Sequence, residues 1–284
     1  MAEYVAYFNG EWVPGNRIKI DSMDRGFMIG DTIYDFERTF NGKGFRLKEH
    51  IDRLYRSLKY VRIDPQLSPD EMLQISEEAV QRNEHLLAEA GDFTILQFVT
   101  RGPGYYAWNA GPPAVGVTIA PINFGLFAPM YTEGVHGVIA RTRSYTPESL
   151  DAKVKHFSRM NFSLAELEAN DVDPGAWAIL TDNDGNVTEG TRQNVSIVTD
   201  GVLRTSRDRA LLQGVSRGML FELAGQLDIP VVEEDLQAYD LYTADEALFS
   251  SSAYCLLPMT QVDRRPIGDG KPGPIVQQLL AAWS

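Results

Sequence analysis

A single cysteine, Cys255, stands in a chain of 284 residues, which excludes a disulfide framework and a thiolate metal cluster. Histidine is nearly as scarce. His50, His85, His136 and His156 are scattered without ligand spacing, so no metal site is expected. Basic side chains are outnumbered, with 26 Lys and Arg against 39 Asp and Glu and a formal net charge of −13. No basic stripe with interleaved aromatics exists, which argues against a nucleic-acid partner. A small anionic substrate stays open, because a pocket can be locally positive on an acidic protein. No apolar run reaches membrane-spanning length, and the N-terminus MAEYVAYFNGEW has neither a basic start nor an apolar core segment. A soluble cytoplasmic protein is the expectation. Internal repeats and low-complexity tracts are also lacking.

What is present is a 44% hydrophobic chain, enough for one large domain or two smaller ones. Pro121 to Pro129, PINFGLFAP, has the composition of an interdomain linker, which predicts domains at 1–120 and 130–284. Tyr4 to Phe8 and Glu11 to Val13 read as a hairpin about Asn9-Gly10. Asp24 to Leu47 reads as a loop in which Gly26 and Gly30 bracket Phe27, Met28 and Ile29, then a strand, a turn at Asn41 to Gly44, and a strand. Lys48 to Leu58 reads as a helix with Ile51, Leu54 and Leu58 on one face and His50, Arg53 and Ser57 on another stripe. Arg53 can grip a phosphate with its fork of donors, or be a surface arginine. A second helix is expected over Asp70 to Ala90, capped by Ser68.

The stretch Asp151 to Ala169, DAKVKHFSRMNFSLAELEA, organises the rest. It begins irregular and polar, then shows Phe157, Met160, Leu164 and Leu167 at helical spacing. Lys155 sits between Val154 and Phe157 just before that helix. Burial there would disfavour its ammonium form, and Lys153 on the same extended face would disfavour it further. A neutral amine is what carbonyl chemistry needs. Both lysines are otherwise ordinary solvated charges. Glu189 ends a strand beside Gly190, where a cationic ring nitrogen would satisfy it, or where it simply faces solvent. Gln213-Gly214-Val215-Ser216 opens a helix whose N-terminus suits a phosphate, and LFSSSA near Ser252 offers hydroxyl donors.

The order of these features resembles the class IV aminotransferases, the fold type IV enzymes that use pyridoxal phosphate. The likeness rests on DRGFMIGDTIYD, RLKEHIDRLYRS, VKHFSRMNFSLAELEA, DNDGNVTEGTRQNVSIV, LLQGVSRGML and PIGDGKPGPI. It implies a two-domain α/β (α+β) fold: a small N-terminal α/β domain, and a larger C-terminal domain with a β-barrel-like sheet and flanking helices. Lys155 would hold the cofactor as an internal aldimine and shuttle the proton. Glu189 would face the pyridine nitrogen. Arg53, the backbone at Val215 and Ser216, and Ser252 would take the phosphate, with Asn194 and Arg159 close to the ring. Tyr34, Val99, Arg101 and Tyr254 would wall the substrate pocket, and Arg192 or Arg101 would bind a substrate carboxylate.

The resemblance implies ping-pong transfer of an amino group from an amino acid or (R)-amine to a 2-oxo acid, in a homodimer with the active site near the subunit interface. VTRG and RALLQGVSR look more like D-amino acid and (R)-amine transaminases. Lys153 instead of Lys155 would fit the longer spacing of some branched-chain enzymes. A branched-chain L-amino acid aminotransferase and an aminodeoxychorismate lyase are the alternatives, and a non-catalytic relative would be expected to lack Lys155 or Glu189. One departure stands out: many members have Asn-Tyr or Asn-Leu where this chain has Ser158-Arg159.

Overall fold

The computed structural model describes residues 3–283. They form two units: one runs to Ile122 and includes Val154–Arg159, the other holds Asn123–Lys153 and the chain from Met160 onward. Lys155 therefore travels with the earlier residues, whereas the linker composition assigns it to 130–284. Its segment is drawn there by β-type hydrogen bonds, described below.

The first unit is built on strands Val5–Phe8 (β1), Glu11–Pro14 (β2), Thr32–Phe40 (β3), Lys43–Gly44 (β4), Phe93–Thr100 (β5) and Val115–Pro121 (β6), in the order β2-β1-β6-β5-β3-β4. Every pairing is antiparallel. Asn9 and Gly10 both take positive φ, 49° and 91°, the type I′ geometry that matches strand twist in a two-residue turn. Where the sequence suggests a loop, Arg25–Ile29 forms a short helix (α1). The Asp24 carboxylate accepts from the Gly26 N–H at 2.7 Å, and Gly30 ends the helix at φ 71°. A Cβ on Gly30 would lie 2.7 Å from the Ser158 hydroxyl, so glycine is required there for space as well as for φ.

Helix Leu47–Val61 (α2) buries Ile51, Leu54 and Leu58 in an apolar core with Phe93, Ile95 and Val117. Helix Pro69–Arg82 (α3) starts in a capping box: Ser68 Oγ accepts from Glu71 N–H at 3.2 Å and the Glu71 carboxylate accepts from Ser68 N–H at 2.7 Å. The helix expected to reach Ala90 stops at Arg82. Asn83 turns its amide onto both backbone groups of Val5 at 2.9 Å, and only a 3₁₀ turn and Leu87–Ala90 (α4) follow.

In the second unit come helices Phe124–Phe127 (α5) and Met130–Glu133 (α6), then strands Val135–Arg143 (β7), Trp177–Thr181 (β8), Val187–Gly190 (β9), Asn194–Thr199 (β10), Val202–Ser206 (β11), Val231–Glu234 (β12), Glu246–Ser251 (β13), Cys255–Val262 (β14) and Arg265–Pro266 (β15). β10, β13, β14, β7, β8 and β9 pair in turn, and β9 pairs again with β10, closing a mixed barrel. β11 and β12 extend from β10, and β15 folds back on β14. Closure leaves those strands without a free edge.

β13 and β14 are buried on both faces, which explains their long apolar runs. Ala247, Phe249, Leu257 and Met259 join Ile179 and Ile197 in one core. Leu248 and Leu256 face the opposite way, into a second core with Leu220 and Leu223 of Val215–Gln226 and Val276 and Leu279 of Pro274–Trp283.

Helix Met160–Val172 (α7) reverses the face the sequence suggests. Its buried residues are Phe162, Ala165 and Ala169, set against Val138, Ala140, Ala178 and Leu180. Two alanines facing the sheet let the backbone approach closely. Met160, Leu164 and Leu167 are instead 75%, 50% and 62% exposed. Helices α8 (Val215–Gln226), α9 (Ala238–Thr243) and α10 (Pro274–Trp283) complete the unit. Among the described residues no helix is long and apolar enough to cross a membrane.

Candidate active site

Lys155 lies on a short extended segment that extends the first sheet alongside β3. The Tyr34 N–H donates to the Lys155 carbonyl and the Phe157 N–H to the Thr32 carbonyl, both at 3.0 Å, with Ile33 opposite His156. The Lys155 N–H donates to Ser57 Oγ on α2 at 3.3 Å. Because side chains alternate along extended backbone, Lys155 and Phe157 share a face with Tyr34 while His156 turns to the buried side with Ile33. The Lys155 Nζ lies 4.7 Å from the Tyr34 ring centroid, the Arg159 guanidinium carbon 5.6 Å from it, and the Phe157 ring 4.5 Å.

Burial pushes the Lys155 ammonium below the usual lysine range; Tyr34 opposes this, and Arg159 and Arg53 add to the lowering. Burial would raise the Tyr34 phenol, but Lys155 and then Arg159 outweigh it and bring it below 10. The extra cations beside Lys155 are thus Arg159 and Arg53. Lys153, which the sequence offered for that part, sits 3.7 Å from Asp151 instead. His156 is lowered to about 4, first by burial and then by Arg159 and Lys155.

Arg53 is not a surface arginine: it is only 4% exposed. Its Nε and Nη2 donate to the two oxygens of Asp35 at 2.9 and 2.6 Å, and His50 Nδ1 meets Asp35 Oδ1 at 2.8 Å. Burial would raise the Asp35 carboxyl; Arg53 and then His50 reverse this and hold it well below the usual carboxylate range. Glu37, two residues on along β3, is raised well above its range by burial and by Asp35, which favours its protonated form. Gln97 Nε2 donates to its Oε1 at 2.5 Å and also to Ser76 Oγ at 3.0 Å. Sequence reading missed Asp35 and Glu37, although their strand spacing beneath the His50, Arg53, Ser57 stripe was visible. Asp35, Glu37 and His50 could together cradle a cation, but Arg53 already supplies the positive charge.

The second unit carries its own constellation. Glu189, at the end of β9, is 5% exposed, so it does not face solvent. Its Oε2 accepts from the Leu212 N–H at 3.1 Å, and its cross-strand partner Asn194 donates from Nδ2 to the Leu212 carbonyl at 2.9 Å. Together they clamp the loop leading into α8. Gly214 caps that helix without a side chain, and a Cβ on it would meet Asn194 Oδ1 at 2.1 Å. Val215 opens the helix, Ser216 is buried in its first turn, and Ser252 lies in the turn after β13.

The pocket-wall candidates divide. Tyr34 stands beside Lys155. Val99 is wholly buried in the first core, and Tyr254 is packed against Phe127 and Trp177 at ring distances of 5.4 and 5.3 Å. Arg101 is committed locally: its Nε bonds Asp31 at 2.7 Å and its Nη2 the Val61 carbonyl at 2.9 Å. The Arg192 side chain is 79% exposed, 3.4 Å from Glu166.

Comparison with known proteins gives a consistent picture. Residues 32–262 match the family model described as amino-transferase class IV. A protein of Methanocaldococcus jannaschii named "Putative branched-chain-amino-acid aminotransferase" is 34% identical over 280 residues, 96% of this chain and 93% of that one. A D-alanine aminotransferase of Listeria monocytogenes is 32% identical over 276 residues, covering 95% of this chain and 92% of its own. A branched-chain amino acid aminotransferase of T.th., solved with pyridoxamine 5'-phosphate, superposes with a TM-score of 0.91 at 26% identity, covering 100% of this chain and 93% of that one.

Proposed function

The chain belongs to the class IV aminotransferases, and we propose on that premise that it is a pyridoxal phosphate enzyme passing an amino group from an amino acid or (R)-amine to a 2-oxo acid. The observation that carries the reading is Lys155: a half-buried lysine whose ammonium form is disfavoured, held by backbone bonds on a sheet edge beside Tyr34. The donor set fits the cofactor. A buried acid, Glu189, suits a protonated ring nitrogen; the open N-terminus of α8 and a buried arginine suit a phosphate.

When bound, pyridoxal phosphate supplies an electron sink for the carbanion formed at the substrate carbon. The chain's residues do the rest. Lys155 is the covalent attachment point and carries the proton at Nζ. Glu189 keeps the ring nitrogen protonated, with its carboxylate oriented by Leu212 N–H. Arg53, Val215 and Ser216 backbone, and Ser252 hold the phosphate. Asn194 shapes the neighbouring wall. Arg53 arrives pre-oriented, since Asp35 fixes its guanidinium through two hydrogen bonds.

Within the family we place the chain with the D-amino acid and (R)-amine transaminases, on VTRG (Val99 to Gly102) and RALLQGVSR. The branched-chain reading is supported by the Methanocaldococcus and T.th. relatives. The cofactor's visible absorption distinguishes them. With D-alanine or (R)-1-phenylethylamine the band of the loaded protein bleaches; bleaching by L-leucine alone would move the chain to the branched-chain group.

A homodimer with the active site near its interface belongs to the same proposal, and the exposed Met160, Leu164 and Leu167 are apolar surface of the kind an interface covers. Sedimentation equilibrium is expected at twice the 31.7 kDa chain mass; a single-chain mass at micromolar concentration would remove it.

A further inference from the structure

The substrate carboxylate has no evident receptor among the arginines first considered. Arg101 is bonded to Asp31 and to the Val61 carbonyl, and Arg25 shares the same Asp31 at 3.0 Å. Arg53 is assigned to the phosphate, and Arg192 is the most solvent-facing of the set. Arg159 is different in position. It follows Lys155 on the same short segment, its Nε donates to the His156 carbonyl at 2.9 Å, and its guanidinium lies 5.6 Å from the ring that Lys155 approaches at 4.7 Å. Two basic side chains thus converge on one aromatic ring, with the His156 carbonyl bracing the second.

We propose that Arg159 is the carboxylate receptor of this enzyme, engaging its amino acid and 2-oxo acid substrates through the carboxylate next to the reacting carbon. This rests on the transaminase reading above. A guanidinium presents paired donors that match a carboxylate, and the pairing is strong where water is thinned out. The placement also couples binding to chemistry. Without an anion, Arg159 adds to the burial that disfavours the Lys155 ammonium form. A carboxylate on Arg159 cancels that charge, so the amine becomes a better proton acceptor when a substrate is present. Ser158-Arg159, the pair that departs from the Asn-Tyr or Asn-Leu of many members, then acquires a role.

The test uses the protein loaded with pyridoxal phosphate and a matched pair of unreactive probes, butanoate and butanamide, titrated while following the visible absorption. For the unaltered protein, butanoate binds saturably and more tightly than butanamide. In Arg159→Gln, butanoate binding weakens by about 10- to 100-fold, the range for a hydrogen bond to a charged group, while butanamide binding is unchanged. Thermal melting reports whether the variant folds; Arg159→Met, which retains the aliphatic stem, repeats the comparison. Equal weakening for both probes would mean that Arg159 only supports packing. Unchanged butanoate affinity, or none in the unaltered protein, would also overturn the assignment and leave the transaminase reading standing. Failure of the unaltered protein to gain a visible band with pyridoxal phosphate would overturn both.

Discussion

Lys155→Met is expected to abolish transamination, with a loss of at least about 10⁴-fold in kcat, while the protein stays folded. General acid–base removal alone accounts for about 10²- to 10⁴-fold, and loss of the covalent attachment point adds to it. The visible band of a lysine-bound cofactor should vanish too, although pyridoxal phosphate can still enter. Stability should move the other way. Lys155 is desolvated and faces Arg159 and Arg53, an arrangement tolerated for chemistry. A methionine fills similar volume without a charge to bury, so the melting temperature should stay level or rise, as when buried ionic groups are replaced by apolar ones. Residual activity above about one part in a hundred would shift the catalytic amine elsewhere, Lys153 being the obvious alternative. A melting temperature several degrees lower would show that Lys155 holds the sheet edge together.

Much of the fold was legible because apolar spacing and turn chemistry are local. The Asn9-Gly10 hairpin, the Ser68 cap, the strand into Glu189 and the Gly214 helix start all follow from neighbouring residues. Two elements turn a different face inward from the one their patterns suggest, for a shared reason. In β3 the structure buries the acids Asp35 and Glu37 completely, where charged side chains would ordinarily face water. In α7, the large apolar residues suggest the inner stripe, and the alanines take it. Period-based reading assumes that large apolar side chains go in and charges go out. His50 and Arg53 come from a distant part of the chain to pair with Asp35, and Gln97 to donate to Glu37, and no local pattern announces them. Arg159 was visible as a departure from the family's pattern and, through the resemblance, as a neighbour of the cofactor ring. Its relation to the Tyr34 ring needed the pairing of Val154–Arg159 with β3.

Asp35→Ala should be the most destabilising single change at this site, costing about 3 to 5 kcal/mol in urea unfolding, because it leaves a buried guanidinium uncompensated. Asp35→Asn should cost nearly as much: the amide carries no charge and turns a donor toward Arg53 or His50. Glu37 decides how much of the loss is recovered. Burial and the charge of Asp35 both disfavour its ionised form. With Asp35 gone, that repulsion goes too, and Glu37 can ionise beside Arg53 and His50, whose Nδ1 lies 3.8 Å from Glu37 Oε2. Asp35→Ala with Glu37→Gln should therefore lose more than the two single changes summed, a coupling that a double-mutant cycle measures directly.

The pH dependence carries the same signature. Asp35 is held below its unfolded value of about 3.9, so its contribution is complete above that pH and fades as pH falls. Glu37 is held above its unfolded value of about 4.3, so its contribution is present in acid and lost as pH rises toward its folded value. In Asp35→Ala the acid loss attributable to Asp35 should disappear, and the stability lost through Glu37 at neutral pH should shrink. A strictly additive cycle, or a loss below about 1 kcal/mol for Asp35→Ala, would mean that Arg53 finds another partner and that the β3 acids do not act as one unit.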